Sequence, residues 1–381
     1  MYKIVNRRKY LLTATADAVL RAVCWPRQFG RRSLPVVPDR VASIMVIRTA
    51  YVGDVVMTLP LLKPLRDRFP AAKISFLTSQ GAAPLLRNHP HVDEILTYDP
   101  FWFYPHSPLR AYLRWVRDIR LRTFDLVIET RADLREILML VQPLRARCKV
   151  SYAVGGGGSL LTHVVPYPGL KHKVEYHLDL ARFLGCPVCA APRAAIHLTA
   201  AEWQRVESML AERRLGGGFV ALHPGSRRPL KKWSPAGWAE VGASLAAETG
   251  LPLVLLGAAA DEADVRQIAD LLRPPVVSLV GQLSLRDLAG VLSRARLLIC
   301  HDSGPMHIAA AMQTPVVAIF GPSKSAETAP YGTAHRVVEV VCDCRAACDE
   351  ARCRNPLGHV CMQAITPAAV RSAARELLTA S

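Results

Sequence analysis

Val41-Ala-Ser-Ile-Met-Val-Ile47 runs directly into Arg48-Thr-Ala-Tyr-Val-Gly-Asp54, and an apolar-periodic stretch then continues through Leu65. The first segment is an unbroken apolar run with polar ends, the pattern of a strand buried on both faces. The second reads as a short loop that delivers Gly53-Asp54 to the mouth of a helix. This unit recurs along the chain. Strands are predicted at Ile74–Leu77, Ile95–Tyr98 and Asp125–Ile128, with a helix over Leu109–Leu121. A second series follows at Phe219–Leu222, Leu253–Leu256, Val276–Leu279, Leu297–Cys300 and Val316–Phe320, with helical segments at 235–249, 261–272, 285–294 and 304–312 between them. Alternation of this kind predicts parallel sheets covered by helices. The fold class is therefore α/β, with two Rossmann-like, doubly wound halves that meet near residues 186–200. Two such halves facing a central cleft would bring their loops together, and the loops to search follow Ile47, Leu222, Leu256, Cys300 and Phe320.

The 381 residues suit two domains, and 51% hydrophobic with 21% charged residues excludes wholesale disorder. The net charge of +17 calls for an anionic partner. Nucleic acid would fit the charge, but the basic loops lack the interleaved aromatics that stack on bases. Residues 1–40 carry nine basic side chains against Asp17 and Asp39, with Leu12, Ala16, Val19 and Val23 at helical spacing. Asp17 and Arg21 interrupt the run, so it is too short and charged to span a bilayer, and no signal-peptide pattern is present. Two readings stay open for this arm: a basic amphipathic helix on an anionic membrane, or a helix packed on the body of the protein.

Cys300-His301-Asp302-Ser303-Gly304-Pro305-Met306-His307 follows a strand and opens a helix. Asp302 or Ser303 suits the N-cap, Gly304 admits a close ligand, and the free N–H groups make an anion site with His307 one turn on. The loop His223-Pro-Gly-Ser226 with Arg227, Arg228, Lys231 and Lys232 suits a diphosphate or is a solvated basic surface. Asp261 or Glu262, after Leu256, could take ribose hydroxyls. Asp54 complements its helix dipole or serves as a general base whose pKa burial would raise. Asp54→Ala would then fold normally and lose activity. Asp261-Glu-Ala-Asp264 spells a helicase box, but no phosphate-binding Gly-x4-Gly-Lys-Ser/Thr loop accompanies it. No Asp-x-Asp element ends a strand, so no metal is expected. Cys342, Cys344, Cys348, Cys353 and Cys361 with His359 offer zinc ligands, but their irregular spacing fits packed thiols or an opportunistic disulfide as well.

Three separated blocks resemble glycosyltransferase family 9, the ADP-heptose:lipopolysaccharide heptosyltransferases. They are Val46–Pro60, the His223–Trp233 loop, and Asp302–Ala311 with Phe320-Gly-Pro322; the tail from Cys342 to Pro367 is similar to the end of the second-heptose subgroup. Beyond the basic arm at 1–40, which lies outside it, the resemblance implies a two-domain GT-B fold, with an acceptor-binding domain at 41–190 and a nucleotide-sugar domain at 191–365 that includes the Cys-rich 342–361. A C-terminal helix would fill 366–381. It implies an inverting, metal-independent transfer of a heptose or related sugar from an ADP-sugar, with no cofactor. Asp54 would be the base. Lys232, Ser226, Asp302, Ser303, Gly304 and His307 would hold the donor phosphates, and Asp261 or Glu262 the ribose. The acceptor implied is a phosphorylated Kdo-lipid A. The enzyme would then be cytoplasmic and peripheral on the inner face of the inner membrane, with no nucleic-acid partner. An epimerase of the same architecture, or a nucleotide-holding protein without activity, are the rival readings.

Overall fold

The computed structural model describes residues 7–28, 41–273, 275–346, 348 and 352–379. The rest of the basic arm, residues 347 and 349–351 of the Cys-rich segment, Pro274, and the last two residues lie outside them. The chain divides into two compact units, Met1–Pro192 and Arg193–Ser381.

The first unit holds β1 (Ser43–Ile47), β2 (Lys73–Thr78), β3 (Glu94–Thr97), β4 (Thr123–Glu129), β5 (Arg145–Ser151) and β6 (His163–Val164). They form one parallel sheet in the order β3-β2-β1-β4-β5-β6. The second unit holds β7 (Phe219–His223), β8 (Leu253–Leu255), β9 (Val276–Ser278), β10 (Ala295–His301), β11 (Val316–Phe320) and β12 (His335–Glu339). Its order, β12-β11-β10-β7-β8-β9, is the same winding. In each sheet the chain reverses direction once, between β1 and β4 and between β7 and β10. Ligands in such sheets bind beyond the strand carboxyl ends at that reversal.

The central strands are buried throughout, as their apolar runs require: Ile44, Met45, Val46 and Ile47 are fully covered, as are Leu297 to Cys300. Ile44 pairs with Ile74 on one side and Leu126 on the other, so an apolar band runs across neighbouring strands of the sheet.

The helix Arg7–Gln28 packs on the first unit, and it does so through an unexpected face. Asp17 is 1% exposed, and its carboxylate accepts the Gly157 backbone N–H at 2.8 Å. Leu20 packs beside it on the core. Gly155 to Gly158 form the turn that receives the helix. A Cβ on Gly155 would lie 2.0 Å from the Ala132 carbonyl oxygen, and Gly156 at φ +90° sits against Thr13. The glycine run is thus a seat for the helix, which explains why it carries no dinucleotide spacing. Among the described residues, no helix is long and apolar enough to cross a membrane.

Candidate functional site

In the first unit, Arg48-Thr49 leaves the end of β1 and the helix Val52–Thr58 begins three residues later. Tyr51 takes φ +45°, an unusual value for a non-glycine residue, where the chain turns into the helix. That turn sets Asp54 in its first turn, 9% exposed. The Asp54 carboxylate meets the buried Arg48 guanidinium at 2.9 Å and Lys173 Nζ at 3.3 Å. Arg48 also donates to the Thr130 carbonyl at 3.1 Å, tying the ends of β1 and β4 together at the reversal point.

Burial alone would raise the Asp54 pKa, as the sequence suggested. The structure corrects that expectation: Arg48, then Lys173 and Arg131, outweigh burial and hold the carboxyl well below the usual range. Asp54 is therefore a carboxylate at any working pH.

Two further carboxylates lie buried close by. Glu129 accepts the Arg131 and Ala132 N–H groups and the Ser151 hydroxyl, while Glu136 accepts from Thr49 at 2.9 Å. Burial pushes both upward, with repulsion from Glu136 added at Glu129 and from Asp133 at Glu136, so the pair holds a proton well above the usual Glu value of 4.5. A group with a raised folded-state pKa binds a proton that the unfolded chain has lost, so stability falls as pH rises above about 4.5. Buried neutral His177, His223 and His301 add stability up to about pH 6.5, so the decline should show in the melting temperature from about pH 6.5 toward pH 8. Glu136→Gln should flatten that decline; an unchanged slope would contradict the assignment.

In the second unit, the loop after β7 is pinned by Trp233. Its backbone N–H donates to His301 Nε2 at 2.9 Å, and its indole N–H donates to the Ile365 carbonyl at 3.0 Å. Burial pushes His301 down to about 3, so the ring is neutral and free to accept. The anchored loop brings Lys231, 8% exposed, to Asp302 at the end of β10, at 2.7 Å. Burial opposes the Asp302 anion, and Lys231 and His307 outweigh it, with the Ser323 side chain close by. Residues after β7, β10 and β11 thus converge at the second reversal point.

The helix Gly304–Ala311 begins there, with Ser303 as its N-cap. Ser303 makes no side-chain cap bond, and its buried hydroxyl has no hydrogen-bond partner. Its first-turn N–H groups are therefore left without the usual capping oxygen, a surface suited to an anion.

The other sequence-nominated residues fall nearby or apart. Lys232 is ion-paired with Asp264. Ser226 Oγ accepts the Arg228 N–H at 3.2 Å, within the same loop. Asp261 caps its own turn by accepting the Ala258 N–H at 2.9 Å, and it abuts Gly225, where a Cβ would lie 2.4 Å from its carboxylate. Glu262 faces Arg266 on the surface at 2.7 Å. Of the two acids, Asp261 is the one that borders the His223–Ser226 loop. Sequence reasoning missed Arg48, Lys173 and Ser323 as partners of the site.

Cys342, Cys344, Cys348, Cys353 and Cys361 line one pocket with His359 and Leu230. None of the five is joined in a disulfide. Among the described residues, no three ligating side chains are arranged to hold a metal ion.

Residues 112–358 match the model of glycosyltransferase family 9 (heptosyltransferase). The chain belongs to glycosyltransferase family 9. Among its relatives, this family 9 glycosyltransferase is 28% identical over 276 residues to lipopolysaccharide heptosyltransferase 3 of Escherichia coli, covering 71% of this chain and 80% of that one. It is 21% identical to the lipopolysaccharide core heptosyltransferase OpsX of Haemophilus influenzae, over 81% and 87% of the two chains. Its fold is similar to a family 9 glycosyltransferase from Veillonella parvula (TM-score 0.76, 21% identity, 89% and 98% covered). It is also similar to the ADP-heptose heptosyltransferase II of E. coli (TM-score 0.67, 22% identity, 89% and 99% covered). The α/β architecture expected from the sequence is thereby borne out.

Proposed function

We propose that this glycosyltransferase moves a heptose from an ADP-sugar onto a hydroxyl of the phosphorylated, lipid-anchored inner core of lipopolysaccharide, with inversion and without a metal. The observation that carries the reading is the end of β10. There an uncapped helix start, an orphaned Ser303 hydroxyl and the buried Lys231 gather where a departing diphosphate needs donors. The sugar and acceptor are suggested by the heptosyltransferase names of the relatives.

Glycosyl transfer passes through an oxocarbenium-like state while negative charge grows on the departing ADP. Backbone N–H groups at Gly304, together with Lys231 and His307, would meet that charge, and one such preorganised donor contributes about 3–4 kcal/mol. Lys231 arrives already oriented by Asp302, so little reorganisation is needed. Asp261 is the residue suited to the ribose.

Asp54 would take the proton from the attacking hydroxyl. A carboxylate with so low a proton affinity is a weak base toward a free alcohol. It suffices once bond formation to the electron-poor anomeric carbon has made the hydroxyl acidic, so proton transfer is late. Arg48 and Lys173 hold the carboxylate in place for that step. An acceptor of this kind is a lipid, so the enzyme would work against a membrane surface.

The test is incubation of the purified protein with ADP-heptose and a Kdo-bearing inner-core acceptor, in the presence of a chelator. The acceptor should gain the mass of one heptose. Release of free sugar without acceptor, or loss of transfer to the chelator, would refute the reading.

A further inference from the structure

The helix Arg7–Gln28 uses only one side to pack. With Asp17 buried and Leu20 on the core, the neighbouring stripe predicted from the sequence is left in solvent: Leu12 is 73% exposed, Val19 57% and Val23 70%. Leu11 stands beside them, 55% exposed.

A second helix of the same unit repeats the pattern. Helix Leu109–Ile119 buries Ile119 and packs Tyr112 and Trp115 on the same core cluster that receives Leu20. Its outer side carries exposed Leu109 and Leu113, with exposed Leu121 just beyond its end. Arg110, Arg114 and Arg120 are exposed among them. Both helices therefore cover the same face of the first sheet, and each turns leucine or valine together with arginine outward.

We infer that this helical face is a docking surface for an anionic lipid bilayer. The inference deepens the reading of a lipid-linked acceptor and rests on it for its purpose. Charge decides the occupant. Residues 109–122 hold five arginines against Asp118 alone, and Arg21 is exposed on the described part of the arm. Two copies of so positive a surface repel each other. A nucleic acid would leave the aliphatic side chains unused. An anionic leaflet uses both features, because leucine and valine enter the headgroup boundary while the arginines stay at lipid phosphates. The buried Asp17 gives the arm a fixed bearing, so its apolar stripe is presented without a further ordering cost.

Co-sedimentation of the full chain with phosphatidylcholine vesicles, with and without phosphatidylglycerol, tests this. The protein should bind the anionic vesicles and leave the neutral ones. Leu12→Asp with Val19→Asp, and separately Arg110→Glu with Arg114→Glu, should each weaken binding by about tenfold or more. All four positions are exposed, so melting temperatures should match the parent, and transfer to a water-soluble acceptor without acyl chains should be unchanged. Undiminished vesicle binding by both variants, or equal binding to neutral vesicles, would overturn the inference. So would a shift from dimer to monomer in the aspartate variant, which would make a second copy the occupant. Loss of sugar transfer by the parent protein with vesicle binding intact would instead remove the transferase reading and leave this one standing.

Discussion

Asp54→Asn should lower the rate of sugar transfer by about 10²–10⁴-fold while ADP binding by the second unit is retained. The substitution keeps the shape of the side chain and removes only its proton affinity and charge. Its cost to folding is also defined. Arg48 is buried and loses its carboxylate partner, and breaking such a pair typically costs about 3–5 kcal/mol. The simple expectation that Asp54→Ala folds normally is therefore replaced: both variants should melt earlier, Ala more than Asn, and rates must be compared below the lower transition. Because Arg48, Lys173 and Arg131 keep Asp54 ionised, transfer should not decline as pH falls through the ordinary carboxylate range. A variant that transfers at the parental rate, measured by ADP release, would take Asp54 out of the mechanism.

The second large effect separates two adjacent lysines. Lys231→Ala should reduce kcat by about 10²–10³-fold, since it removes a buried donor at the diphosphate. It also leaves Asp302, itself buried, as an unpaired negative charge beside the ligand's own. Lys232→Ala should cost far less, because Lys232 is engaged with Asp264 and its side chain is more exposed. Steady-state rates and ADP affinity for the pair decide it. A larger loss in Lys232→Ala would return the phosphate role to the residue that the family resemblance nominated.

That contrast marks the boundary of what the sequence could say. The basic loop after β7 was visible, and so was its place after a strand. Which of two neighbouring lysines turns toward Asp302 depends on how Trp233 is pinned, and its partners His301 and Ile365 lie 68 and 132 residues away. Asp54 was legible because strand, glycine, acid and helix are contiguous. Its low pKa was not, because Lys173 comes from 119 residues further along.

The same holds for the sheets. The central strands are unbroken apolar runs and were read to within a residue or two. β5 was missed because Arg145, Arg147 and Lys149 alternate with its inward residues, and β12 because an edge strand needs little apolar length. Of the two readings of the arm, packing on the body is the one that the described residues show. One face of the helix packs through Asp17, and the apolar stripe remains outside.

The most direct measurement is the anomeric configuration of the sugar in the product formed from ADP-heptose and the inner-core acceptor, read by NMR on the purified oligosaccharide. A carboxylate accepting the hydroxyl proton during a single displacement predicts a configuration opposite to that of the donor. Retention of the donor configuration would require a covalent or front-face route in which Asp54 has no such part, and would contradict the account.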